Sequence, residues 1–390
     1  MHDRVATDRL RHRHHPGQDS RRRASRAPRR TPRTGQVTPG VQRRVYLPVN
    51  ILLLKPSSLG DVVQALPVLR LLRLRFPGAA IHWWISAELS PLLEGDRDLT
   101  GLVRFHREHW TSPLKWAAPI RSVRAVRAMK FDWVIDLQGL ARSGAFAWLS
   151  GANLAIGIEL QREAAHGFYD IAVPRPSPDA HAVDWYLAVL RALDVPVHWN
   201  FEWLPARPEI AAAVRQRIPA DAARLVALVP GARWENKRWP VGNFADLARQ
   251  LAARDPAARF VILGSRGDAP LGEAIHRAAP GRCRNLAGQT TLPEMVEWLR
   301  CCDAVVTNDT GPMHIAAALR KPVVSLFGPT SPARTGPYGQ LGRALRHPLP
   351  CAPCMKSDCS NPRALECLHA VTPDRVCGAV LALAVPDAAT

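Results

Sequence analysis

The chain has 390 residues, 47% of them apolar, which is enough for two domains of ordinary size. No apolar run approaches the ~18 residues of a membrane span, and the N-terminus lacks the apolar core of a secretory signal; a cytoplasmic protein is expected. The net charge of +19 excludes an acidic protein and suits an anionic partner, whether an acidic substrate or an anionic membrane surface.

That charge is unevenly spread. Residues 1–44 hold thirteen arginines and three aspartates, a net +10, which leaves +9 for the rest. This leader is rich in Arg, His and Pro, has almost nothing to bury, and is expected to be disordered. It reads either as a basic tail for nucleic acid or anionic lipid, or as a dispensable stretch upstream of a true start near Val45. Only six of the 52 basic residues are lysines, so a lysine in this chain carries more information than an arginine.

From Val45 short apolar runs alternate with amphipathic stretches. "VNILLLK" reads as a strand, Gly60–Phe76 as a helix, "AAIHWWIS" as a strand, Arg121–Met129 as a helix and "FDWVIDLQG" as a strand. Residues 179–194 read as a helix with an aspartate cap. Residues 196–210 carry three prolines and read as a linker. The rhythm then restarts with strands at "RLVALV", "RFVILGS", "AVVTND" and "PVVSLFG", and helices at 243–253, 291–303 and 310–320. The expected fold is α/β with two Rossmann-like lobes about a central cleft, residues 45–205 and 206–390. Ligands in such sheets bind at the carboxyl ends of strands. The turns that matter are therefore 55–61, 136–143, 230–239, 264–268, 307–314 and 327–330.

Unusual residues collect in those turns. In "TNDTGPMH" the helix start supplies free N–H groups and Thr310 a hydroxyl, which makes an anion site. Gly311 would let the backbone approach a ligand, and His314 lies one turn further in. Asp309 would repel a phosphate but accept hydrogen bonds from sugar hydroxyls, so the pair of features fits a sugar diphosphate; a plain helix cap is the alternative. In "PGARWENKRWP", Arg233, Lys237 and Arg238 make a basic loop, with Lys237 as a point-charge contact to phosphate. In "KPSSLGD", Ser57, Ser58 and Gly60 form a tight turn and Asp61 stands at a helix start. A serine would suffice as a cap, so Asp61 is read as a general base. "IDLQGLARSG" brings Asp136, Gln138, Arg142 and Ser143 to another strand end, and Arg162 and His181 would extend a basic acceptor surface. Cys351, Cys354, Cys359 and Cys367 cluster near the C-terminus. Four such thiols are able to hold zinc or an iron–sulfur group, but the spacing matches neither common pattern, and a structural loop without metal is expected.

In this order, "KPSSLGDVVQALPVL", "DLQGLARSG", "PGARWENKRWP" and "NDTGPMHIAAALRKPVVSLFGPT" resemble the ADP-heptose:lipopolysaccharide heptosyltransferases of glycosyltransferase family 9, over about residues 48–380. The resemblance implies a GT-B fold, an inverting mechanism, no cofactor or catalytic metal, an ADP-heptose donor and a lipid-linked acidic acceptor in the inner core of lipopolysaccharide. It implies Asp61 as base and Lys237 on the departing diphosphate. Asp309 would lie on the heptose, Thr310, Gly311 and His314 on the pyrophosphate, and Arg233 beside the donor. Ser57, Ser58, Gly60, Arg142, Arg162 and His181 would face the acceptor. The subtype is mixed: "DLQGLARSG" and "HAVDWYLAVL" look like heptosyltransferase I, "CAPCMKSDC" like heptosyltransferase II. Pro56 and Gln64 depart from the frequent Thr and His, and Trp185 stands where an acceptor-facing Arg is usual. The rivals are a family 9 enzyme with another donor, a non-catalytic sugar-nucleotide sensor, and a nucleic-acid binder. The last finds no motif in the folded part.

Overall fold

Each apolar run that precedes a candidate turn becomes an inner strand of a parallel sheet. The computed structural model describes residues 50–106, 117–160 and 165–383, and the leader and Arg162 lie outside them. The first lobe contains β1 (Asn50–Leu54), α1 (Leu59–Arg75), β2 (Ala80–Ser86), α2 (Ser90–Leu93), β3 (Gly101–Phe105) and α3 (Ala117–Ala128). It continues through β4 (Trp133–Asp136), α4 (Ala141–Leu149), β5 (Leu154–Ile158), β6 (Ile171–Val173) and α5 (Ala182–Ala192). After the proline-containing segment, α6 (Pro208–Gln216) leads into the second lobe: β7 (Arg224–Val229), α7 (Val241–Arg254), β8 (Ala258–Ile262), α8 (Ala269–Ala278), β9 (Cys283–Asn285) and α9 (Leu292–Cys301). Then follow β10 (Ala304–Asn308), α10 (Gly311–Ala318), β11 (Val323–Phe327), α11 (Pro332–Thr335), β12 (Ala344–Arg346), α12 (Glu366–His369) and α13 (Pro373–Ala382).

Both sheets have six parallel strands, in the orders β3-β2-β1-β4-β5-β6 and β12-β11-β10-β7-β8-β9. The central strands β1, β7, β10 and β11 are buried almost throughout, as strands covered by helices on both faces must be. The strand order reverses between β1 and β4 in one sheet and between β7 and β10 in the other. A crevice opens at such a switch point. The turns after those four strands are 55–61, 136–143, 230–239 and 309–314, so the topology alone brings the singled-out segments to two facing crevices.

Helix α1 is apolar nearly all round and buried over most of its length. It packs against α5 of its own lobe and α10 of the other. One hydrophobic cluster runs continuously from Ile51 and Leu53 through α1 and α5 to Val305, Ile315 and Phe327, so the lobes share a core. Separate clusters lie on the outer faces, under α3 and α4 in one lobe and under α7 and α13 in the other. Among the described residues no helix is long and apolar enough to cross a membrane.

Candidate active site

The turn after β1 does two jobs. Ser58 is the N-cap of α1, and Asp61, three residues on, reaches back to it. The Ser58 N–H donates to Asp61 Oδ2 at 3.0 Å and the Ser58 hydroxyl to the same oxygen at 2.6 Å. Oδ1 is turned the other way, 3.5 Å from the Tyr186 hydroxyl on α5. The capping reading and the base reading therefore use different oxygens of one carboxylate. Burial would push the Asp61 carboxyl up, but the Lys55 ammonium, the two Ser58 hydrogen bonds and His314 together hold it below the ordinary carboxylate value. The helix start adds to this.

Lys55 is the neighbour that sequence reading left unassigned. It is buried at the end of β1, its Nζ donates to the Leu137 carbonyl at 2.9 Å, and it lies 4.8 Å over the Tyr186 ring. Burial pulls its pKa down, with Asp61 and Asp136 acting against that. The one available signal was its identity as a lysine in an arginine-biased chain.

In the second lobe Lys237 ends a short 3₁₀ turn, Glu235–Lys237. Its Nζ donates to Asp309 Oδ2 at 2.7 Å and sits 4.7 Å over the Trp234 ring. The same Asp309 oxygen accepts from the buried Thr330 hydroxyl at 2.6 Å, a partner the sequence reading missed although it lies in the 327–330 turn. Asn308 ties the basic loop to β10: its side chain accepts from the Trp239 N–H and donates to the Pro230 carbonyl. Arg238 does not join this group, because its Nε donates to the Ala232 carbonyl and staples the loop. Thr310 is the N-cap of α10 and Gly311 its first residue.

The two glycines each have a close neighbour in the opposite lobe. A Cβ on Gly311 would lie 2.7 Å from Leu59, and one on Gly60 would lie 2.4 Å from the His314 ring. Both glycines thus let the starts of α1 and α10 abut across the cleft. His314 is buried there, and burial pushes its imidazole down to about 4 against the pull of Asp309 and Asp61. It faces this junction as a neutral ring with one N–H to give.

Ser57, Ser58, Gln138, Arg142 and Ser143 line a cavity of about 440 Å³ with the apolar walls Trp84, Leu89, Phe105 and Leu140. Arg233 of the second lobe lines it too, so this side chain stands with the residues expected around the acceptor. Ser143 itself is buried and exchanges hydrogen bonds with Leu140. Asp136 is a turn residue: it accepts the Gln138 and Gly139 N–H groups and the Tyr169 hydroxyl.

His181 is not an acceptor contact. It caps α5, accepting the Val183 N–H on Nδ1 at 3.2 Å, and its Nε2 pairs with the Gly336 carbonyl of the second lobe at 3.0 Å. With both nitrogens used inside the protein, none is left for a sugar. It also replaces the aspartate cap expected for this helix. Trp185 is buried, donates to the Val173 carbonyl and lies under Arg175. The four clustered cysteines are free and line one small cavity, but among the described residues no group of three or more His, Cys, Asp or Glu side chains is set to hold a metal ion.

Two parallel α/β lobes facing each other over paired switch points are the GT-B architecture, and the protein is a glycosyltransferase. The chain belongs to glycosyltransferase family 9 (heptosyltransferase), whose family model matches residues 120–365. It is 31% identical to lipopolysaccharide heptosyltransferase 1 of Pseudomonas aeruginosa, over 80% of this chain and 88% of that protein. It is 28% identical to lipopolysaccharide heptosyltransferase 2 of Escherichia coli K12, over 76% and 88%. The solved structure of E. coli ADP-heptose lipopolysaccharide heptosyltransferase II superposes with a TM-score of 0.69 and 27% identity, covering 86% of this chain and 98% of that one. The match to both subtypes agrees with the mixed motifs.

Proposed function

We propose that the protein moves a heptose from ADP-heptose to an acidic, lipid-linked saccharide of the lipopolysaccharide inner core, with inversion at the anomeric carbon. The observation that carries this is that the Asp61 carboxylate, on the first turn of α1, and the Lys237–Asp309 pair of the other lobe both lie close enough to His314 of α10 to act on its charge. Residues 45–205 would bind the acceptor and residues 206–390 the donor, at an anionic membrane surface.

Asp61 Oδ1 takes the acceptor hydroxyl proton as that oxygen attacks the anomeric carbon. The bond from that carbon to the phosphate oxygen breaks on the opposite face, and the diphosphate leaves with the electron pair. Lys237 has three N–H donors, so it keeps Asp309 with one and meets the growing phosphate charge with another. The free N–H groups at the start of α10 and the neutral His314 ring add donors to the same anion. Asp309, held through Oδ2 by Lys237 and Thr330, would accept from the heptose hydroxyls. Arg142 and Arg233 supply the positive charge an acidic acceptor needs.

Calorimetric titration with ADP-heptose, ADP-glucose, GDP-mannose and UDP-GlcNAc tests the donor. Selective binding of ADP-heptose, weakened by Lys237→Ala, is the expected result. Preference for another sugar nucleotide would keep the chemistry and overturn the donor; no binding to any of the four would overturn the transfer reading.

A further inference from the structure

We propose that the outer face formed by α3 and the end of α4 is the surface by which the protein docks on an anionic phospholipid bilayer. This rests on the reading that the acceptor is lipid-linked, and it assigns the place of contact. Helix α3 turns Val126 into the cluster beneath it and packs Val123 against that cluster. Its other side presents Arg121, Arg124 and Arg127, all exposed, and the helix has no acidic residue; Lys130 follows in the next turn of chain. None of the three arginines has an ion-pair partner among the described residues.

Large apolar side chains stand among these charges. Trp148 is 64% exposed, Ile120 49% and Leu149 37%, three of the few large hydrophobic residues on the described surface. The two helices meet at the surface, where Arg127 runs alongside Gly151 just after α4, 3.5 Å from where a Cβ would stand. A bilayer interface satisfies both halves of this pattern. Lipid phosphates pair with the arginines, and the headgroup–acyl boundary takes the indole and the aliphatic side chains. A nucleic acid would satisfy the charges but leave Trp148, Ile120 and Leu149 in water.

The test uses the full chain with vesicles of phosphatidylglycerol and phosphatidylcholine, or of phosphatidylcholine alone. Binding to the mixed vesicles, weakened by salt, is expected. The variant Arg121→Gln/Arg124→Gln/Arg127→Gln should bind them about 100-fold less, roughly fivefold per charge, and Trp148→Ala several-fold less. Hydrogen exchange with vesicles present should show protection over 117–130 and 141–151. Transfer to a soluble, delipidated acceptor should be unchanged in both variants. Failure of that transfer in the wild-type protein would count against the reaction, not the surface. Undiminished vesicle binding by the triple variant, protection confined to residues 1–44, or protection of this face by duplex DNA instead of vesicles would overturn the proposal.

Discussion

Asp61 sits between a cation and its own helix cap, and the two act on its charge in the same direction. Its carboxyl is held below the usual carboxylate value, so the proposed base is ionised throughout the neutral range. On the acid side kcat/KM should therefore stay flat from neutrality down to about pH 5; a limb near pH 6–7 would show that another group is the base. Lys55 is the largest of the groups that lower it. Lys55→Met should move the acid limb upward while leaving the affinity for donor unchanged, a split that a merely structural lysine would not give. Asp61→Ala should keep donor binding and lose at least ~100-fold in turnover, and near-normal turnover would remove it as base. Linkage gives a third readout. A depressed folded pKa contributes stability that is present above the unfolded value and lost as pH falls through the folded one. Asp61 was legible because a charged residue stood in a turn that a serine already capped. Lys55 and His181 were not, because nothing local in the sequence says which lysine ends beneath a tyrosine ring or which histidine meets a carbonyl 155 residues away.

At the level of elements, the starts of α1 and α10 fit together because two positions lack a Cβ. Gly311→Ala would drive a methyl into Leu59 and should cost ~1–3 kcal/mol, the usual scale of overpacking. Leu59→Ala in the same chain should recover part of that loss. Chemical unfolding of both single variants and the double would show it as a coupling energy, and strict additivity would mean that the helices do not meet as described. Every inner strand except β5 was readable from alternation, and α1, α3, α5, α7, α9 and α10 from their period; α8 and α13 were not named. The edge strands β6, β9 and β12 were not: at three residues each they are too short to show a period. The glycines mark places where something must come close, but a sequence does not show that the opposite helix is among the things that approach.

For the whole molecule, the shared core has a thermodynamic corollary. The hydrophobic cluster spans both sheets, and α5 adds polar ties across the cleft: Tyr338 donates to Asp184 at 2.7 Å and His181 meets Gly336. Arg70, midway along α1, pairs with Asp96 and Asp98 and also donates to the Trp203 carbonyl in the segment joining the lobes. Calorimetry should accordingly show one unfolding transition for the two lobes, with equal calorimetric and van't Hoff enthalpies; two resolved transitions would mean that each lobe stands alone.

The cavity in the first lobe is lined by one side chain from the second, Arg233, as well as by Arg142. An anionic occupant that touches both guanidinium groups joins the lobes as a strut would. Whatever draws the lobes together at the donor crevice then raises the affinity of that occupant, and the occupant must return the favour by the same factor. If the acceptor fills this cavity as proposed, the two substrates would bind as allies, and an inhibitor built to span Arg142 and Arg233 would hold tightest to the enzyme already loaded with its donor.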